Sequence, residues 1–236
     1  MGLLLPPVLL PALLATLLTG CATSPDTDRL AGGDGSPSRH AEQRDGGAAG
    51  DSDAVHVPPV AHDPAVRPLA EAATDEYFRA LQYLRQNDLQ RARIAFQSLS
   101  NRYPALSGPQ VNLGLIELRA RNWDQAIVYL RQAIETNPAN PYAHNALGAA
   151  LRLHGDFTGA EQHYREAINL DPRYARAWFN RGVLAELYQQ DLQAALAYFR
   201  TYQSLQRQPD PTVANWIADL ERRVPTDTLA REDSAP

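Results

Sequence analysis

The sequence predicts an all-α fold: a solenoid of antiparallel helix pairs, closed at its C-terminal end by one further helix. Three observations carry that expectation. The stretches NDLQRARIAFQSLSNRYP, NWDQAIVYLRQAIETNP and GDFTGAEQHYREAINLDP align through Ala92, Ala126 and Ala160 and through Pro104, Pro138 and Pro172, at a constant interval of 34 residues. Small residues keep the same phase upstream, at Ala80, Gly114, Gly148 and Gly182. The prolines end each unit, because proline lacks a backbone N–H and clashes with the preceding helical turn.

Each unit reads as two helices, A and B. The units span 73–106, 107–140, 141–174 and 175–208. Small residues on both helices let an antiparallel pair approach closely. In helix B the small residue is followed by Phe96, Leu130, Tyr164 or Phe199, which fill the space beside it. The polar turns RQND, RARN and LHGD join A to B. In the fourth unit Ala195, Phe199 and Tyr202 arrive one residue late, and the extra residue is expected in YQQDL, the turn between its helices. A unit of this kind cannot bury its apolar face alone, so stacking is obligatory and the ends need covers.

The covering helix is DPTVANWIADLERRV. Asp210 is placed to cap its start, with Pro211 at the first helical position. Val213, Trp216, Ile217, Leu220 and Val224 form an i, i+3, i+4, i+7 stripe, and Arg222 and Arg223 suit the helix C-terminus. Trp216 fits the protein's own core, with partner anchoring as the alternative. Residues 209–224 are therefore assigned to this helix and 225–236 to a frayed tail.

A 34-residue period with these fixed small, aromatic and proline positions resembles the tetratricopeptide repeat (TPR). The family's large residue early in helix A is matched only by Trp178, with Glu76, Gln110 and His144 at the other three positions. Its Leu before the small residue appears as Leu113 and Leu147, with Arg79 and Arg181 in the remaining units. The resemblance covers residues 73 to about 208 and implies a right-handed superhelix whose A helices line a concave, partner-binding face. On that analogy the inward positions are Tyr77, Leu81 and Leu84 in unit one, and Val111, Asn112, Leu115 and Arg119 in unit two. Unit three offers Tyr142, Asn145, Ala149 and Arg152; unit four offers Arg176, Phe179, Asn180, Val183 and Glu186. Such a groove suits an extended or helical peptide, with aromatics as anchors, Asn side chains on its backbone and Arg on its acids. Each of these residues singly also fits repeat core or solvated surface. The carboxylate clamp of TPR co-chaperones is not reproduced: only Asn112 and Arg176 fall in register, and Tyr77 and Leu81 stand where a Lys and an Asn belong.

The N-terminal stretch has a different character. Residues 3–18 are apolar apart from Thr16 and lead into Leu18-Thr19-Gly20-Cys21. The run has the size of a secretory signal's apolar h-region and is followed by small residues, and its end resembles the lipobox of bacterial lipoproteins. The resemblance implies cleavage after Gly20 and acylation of Cys21, the single cysteine, on both sulfur and amino group. Several acyl chains give stable anchoring where one gives only marginal binding. A transmembrane helix is disfavoured because about 20 apolar residues are needed and Pro6, Pro7 and Pro11 interrupt this run. Ala22 stands where an inner-membrane retention signal carries Asp, which by analogy implies the outer membrane, facing the periplasm. Residues 21–72 are rich in Gly, Pro, Ser, Asp and Ala with no apolar period, and read as a lipid-anchored, disordered linker. Its r.m.s. span is roughly 40 Å. His40, His56 and His62 lie in it without ligand-like spacing.

Composition excludes several functions. All 22 basic residues are Arg. Residues 22–72 hold nine acids and four Arg, whereas 73–224 hold fifteen acids and seventeen Arg, so the helical part is nearly neutral. That balance lacks the basic bias of a nucleic-acid binder. No nucleophile–His pair, phosphate-binding Gly loop or His–carboxylate metal motif is present. His144, His154 and His163 are scattered through unit three and are expected at surface positions. The chain is thus read as no enzyme, with no cofactor, metal or small-molecule substrate. Its expected partners are other envelope proteins, bound in the groove as peptide or helix, and the membrane itself through Cys21. The expected role is a scaffold for assembling or recruiting a cell-envelope complex. Alternatives are a self-associating structural component, a pilotin-like factor of type IV pili, or an accessory of a TonB-type system.

Overall fold

A computed structural model describes residues 67–224 of the 236-residue protein. The expected signal peptide, Cys21, the linker through residue 66 and the tail from residue 225 lie outside the described residues. Four helix pairs follow one another: α1 (Arg67–Arg85) with α2 (Leu89–Arg102), α3 (Ser107–Arg119) with α4 (Trp123–Thr136), α5 (Pro141–His154) with α6 (Phe157–Leu170), and α7 (Ala175–Leu184) with α8 (Leu192–Ser204). A last helix, α9 (Pro211–Arg223), packs on α8. Among the described residues the fold is all-α, the expected repeat solenoid with its covering helix. One boundary moves: α1 begins at Arg67, so residues 67–72, expected in the linker, are helical. Their helix is held by the stripe Ala73, Tyr77, Ala80, Leu81 and Leu84, which is buried.

The close approach inferred from small residues is visible atom by atom. A Cβ added to Gly114 would lie 2.5 Å from Cγ of Leu130, one on Gly148 2.7 Å from the Tyr164 ring, and one on Gly182 2.8 Å from the Phe199 ring. In units two, three and four the A helix therefore presses its backbone against the large residue of its own B helix. Successive pairs share cores: Leu113 and Ile116 of α3 join the cluster built on α1 and α2. At the far end Phe179, Phe199, Tyr202 and Trp216 stack in one aromatic cluster, with Phe179 and Phe199 each 5.8 Å from Trp216. Trp216 thus belongs to the protein's own core. Asp210 accepts from the N–H groups of Thr212 and Val213, capping α9 as its sequence implies.

The A–B turns are built alike. Each contains one residue at positive φ: Asn87, Arg121, Gly155 and Gln190. Asp88, Asp156 and Asp191 then cap the B helices by accepting from backbone N–H groups. The additional residue of unit four is not in this turn. The closing hydrogen bonds Asp88 N–H to Tyr83 O, Asn122 to Glu117 and Asp156 to Leu151 span five residues, whereas Asp191 to Ala185 spans six. The insertion is absorbed upstream as a π-helical turn, Ala185–Gln189, which widens the end of α7 and leaves the turn itself unchanged.

Candidate partner-binding face

Helices α1, α3, α5 and α7 form one layer, and the side chains expected to line its open face divide into two groups. Leu115, Arg119, Tyr142, Ala149 and Arg176 are half-buried and reach the surface. The others are covered. Leu81 and Leu84 belong to the core of the first pair, and Val111 and Val183 are fully buried. Tyr77, Asn112, Asn145, Arg152, Phe179, Asn180 and Glu186 are buried as well, each for a specific reason.

The amides join neighbouring units. Asn112 Nδ2 donates to the Tyr77 hydroxyl at 2.7 Å and to Gly108 O at 2.9 Å. Two units later, Asn180 Nδ2 donates to Asn145 Oδ1 at 2.9 Å, and Asn145 Nδ2 donates to the Tyr174 hydroxyl at 3.2 Å. Both inter-helix rungs connect residues 35 apart, one repeat plus one position. The equivalent pair between units two and three, Val111 and Ala146, is apolar. Burial pushes the Tyr77 hydroxyl up, against the pull of its Asn112 bond, so it stays protonated. Hence these residues, expected to contact a peptide, instead fix the spacing of the A helices. The Oδ1 atoms of Asn112 and Asn180 are buried without a hydrogen-bond partner.

Arg152 is a correction to the expected groove, since it is only 2% exposed. Its Nε donates to the Tyr164 hydroxyl at 3.3 Å, its Nη1 to the Tyr188 hydroxyl at 3.4 Å, and its guanidinium lies 5.6 Å from the Tyr188 ring centre. It locks unit three to the π-turn of unit four. Glu186, on that turn, accepts from Arg223 of α9 at 3.2 Å. Phe179 sits in the aromatic cluster under Trp216. What remains at the surface is an aromatic and basic strip. Tyr142 and Tyr174 meet edge to face at 4.8 Å, and Arg119 at the end of α3 and Arg176 in the first turn of α7 are half-buried on the same layer. Burial, with Asp171 nearby, raises the Tyr142 hydroxyl above its ordinary range. This strip offers flat apolar contact, neutral hydroxyl donors and guanidinium forks, the elements of protein or peptide recognition.

The histidines of unit three also differ from expectation. His144 is buried and paired with His163, whereas His154 is exposed beside Asp124 at 3.1 Å. The His144 Nε2–H donates to Pro138 O at 3.0 Å, as Trp178 Nε1–H donates to Pro172 O at 3.0 Å in the next unit. His144 therefore does the work of the large residue that the repeat pattern lacked at this position. Sequence pattern alone could not show it, because the shared feature is a bond to a carbonyl rather than residue size. Among the described residues no group of three or more His, Cys, Asp or Glu could hold a metal, and no helix is long and apolar enough to cross a membrane.

Comparisons with known proteins agree with this architecture. Tetratricopeptide repeat models match residues 79–105, 111–173 and 154–212. The type IV pilus assembly protein PilF of Pseudomonas aeruginosa is 38% identical over 72 residues, a match covering 30% of this chain and 29% of PilF. A solved structure of Pseudomonas aeruginosa PilF superposes with a TM-score of 0.59 at 23% identity, covering 65% of this chain and 69% of that one. MamA of Desulfovibrio magneticus gives a TM-score of 0.49 at 20% identity over 56% of this chain and 74% of its own. With its period, its small-residue contacts and its turns all in phase, the chain belongs to the tetratricopeptide repeat family.

Proposed function

We propose that this chain is a lipid-anchored scaffold of a bacterial cell envelope, facing the periplasm from the outer membrane, that captures a protein partner on its A-helix face. The observation that carries the reading is the 38% identical segment shared with PilF, a type IV pilus assembly protein. It favours a pilus-type assembly over a TonB-type system as the machine served. The lipobox-like Leu18-Thr19-Gly20-Cys21 supports the anchor, and the intervening stretch supplies reach. The tether would hold the strip of Leu115, Arg119, Tyr142 and Arg176 near envelope partners and raise their effective concentration. No catalytic step is needed for this role. Crosslinking in cells followed by mass spectrometry tests it. Arg119→Glu should sharply lower the yield of a crosslinked envelope partner while the thermal transition stays unchanged. An undiminished yield would place the partner elsewhere, and partners confined to the cytoplasm would refute the envelope role.

A further inference from the structure

The slot between the fourth position of helix A and the middle of helix B is filled differently in each unit. Unit four packs Trp178 on Tyr198, ring centres 6.0 Å apart, and unit three packs His144 on His163 at 5.3 Å. At the same positions unit two has Gln110 and Tyr129, and unit one has Glu76 and Ala95. Only unit three makes this A–B contact from two titratable imidazoles. Their Nδ1 atoms are 3.1 Å apart, within hydrogen-bond distance.

The proton positions follow from the neighbours. Pro138 O can only accept, so His144 carries its hydrogen on Nε2 and leaves Nδ1 bare. His163 must then donate from Nδ1. A first added proton enters at His163 Nε2 and preserves the bond as an imidazolium donating to an imidazole. A second would put a hydrogen on His144 Nδ1 and set two N–H groups against each other. We propose that the His144–His163 pair is a proton-sensitive latch between α5 and α6, closed with at most one added proton and opened when both imidazoles are charged.

Three charged side chains act on His163. Arg131 of α4 opposes protonation of His163, while Asp156 at the N-cap of α6 and Glu166 within it favour it. Arg181 of α7 is held by Glu161 at 2.6 Å. Burial is the largest influence and, with His144 and Arg131, it outweighs the two acids and holds His163 below the usual histidine range. The sign follows. Above about pH 6.5 the folded and unfolded chains carry the same protons here. Below it the unfolded chain takes two and the latched pair at most one. Well below pH 6.5 the folding equilibrium constant therefore falls at least about tenfold per pH unit of acidification, until the latched pair accepts its last proton. The carboxylates titrate lower, near pH 4, so the window is separate. Opening would loosen the α5–α6 contact beside Tyr142, while the Gly148–Tyr164 packing and the Arg152–Tyr164 bond still hold the two helices together.

The full chain is unfolded by denaturant at pH 7.5, 6.5 and 5.5, beside His144→Trp/His163→Tyr, which imports the unit-four pair. His144→Gln/His163→Tyr, the unit-two pair, serves as a second variant. Between pH 6.5 and 5.5 the wild type should lose about tenfold more in folding constant than either variant, and between pH 7.5 and 6.5 much less, the other histidines being common to all. Parallel pH dependences would overturn the latch. If neither variant folds, imidazole NMR of the wild type decides: two separated titration steps are expected, and both rings titrating together near pH 6.5 would overturn it.

Discussion

Replacing Gly148 by Leu attacks the closest A–B contact in unit three. An added Cβ would sit 2.7 Å from both Cδ1 and Cε1 of Tyr164 and 3.2 Å from the Ala160 carbonyl. The ring cannot readily yield, because it is fully buried and its hydroxyl receives the Arg152 guanidinium at 3.3 Å. Overpacking of this kind costs about 1–3 kcal/mol, and relief of a helix-interior glycine returns at most about 1 kcal/mol. The Leu side chain beyond Cβ pushes the balance toward the upper end, a net loss of about 1–2 kcal/mol. For a domain of this size that lowers Tm by about 2–8 °C, measurable by circular dichroism at 222 nm. Gly155→Asn is the matched control: no atom lies within 4 Å, and Asn87 holds the equivalent left-handed position in unit one. It should cost about 1 kcal/mol, from backbone conformation alone and with no clash. A Gly148→Leu protein that melts with the wild type would refute the packing argument.

Arg152→Ala should destabilise by about 1–3 kcal/mol by stripping partners from two tyrosine hydroxyls, seen as a lower denaturation midpoint; an unmoved midpoint would return Arg152 to the surface. Asp156→Ala removes the cap on the Gly159 N–H and should cost about 1 kcal/mol in the same assay. The hydrogen bond from Arg223, with Arg222 adding to it, holds the Asp219 carboxyl below its usual range. Its stabilisation is therefore complete above about pH 4 and lost as pH falls through the lowered value. Asp219→Asn should flatten that part of the acid unfolding curve. Cys21→Ser should release the protein from the membrane fraction, and continued sedimentation with membranes would disprove the anchor.

Where one residue acts on its own helix pair, the sequence was readable. The small residues, the capping aspartates and the apolar stripe of α9 act locally, so their spacing announces them. For residues that act between units, sequence left groove and repeat core both open, and the structure places most of them in the core. Asn112, Asn145 and Asn180 look like ligand-facing amides until neighbouring units place Tyr77 beside Asn112, Tyr174 beside Asn145, and Asn145 beside Asn180. Arg152 reads as a groove cation because nothing in its own helix shows that Tyr164 and Tyr188 converge on it. The inserted residue of unit four was legible as a phase shift, but a π-turn and a longer loop give the same shift.

Site-specific photo-crosslinking in cells tests the central claim most directly. A photoreactive residue at position 119 or 142, on the A-helix strip, is compared with one at position 94, where Ile94 is 68% exposed on the B-helix side. A discrete partner adduct is expected from 119 and 142 and none from 94. Adducts from 94 alone would show that the partner binds the opposite layer, and that the strip of Arg119 and Tyr142 is not the binding face.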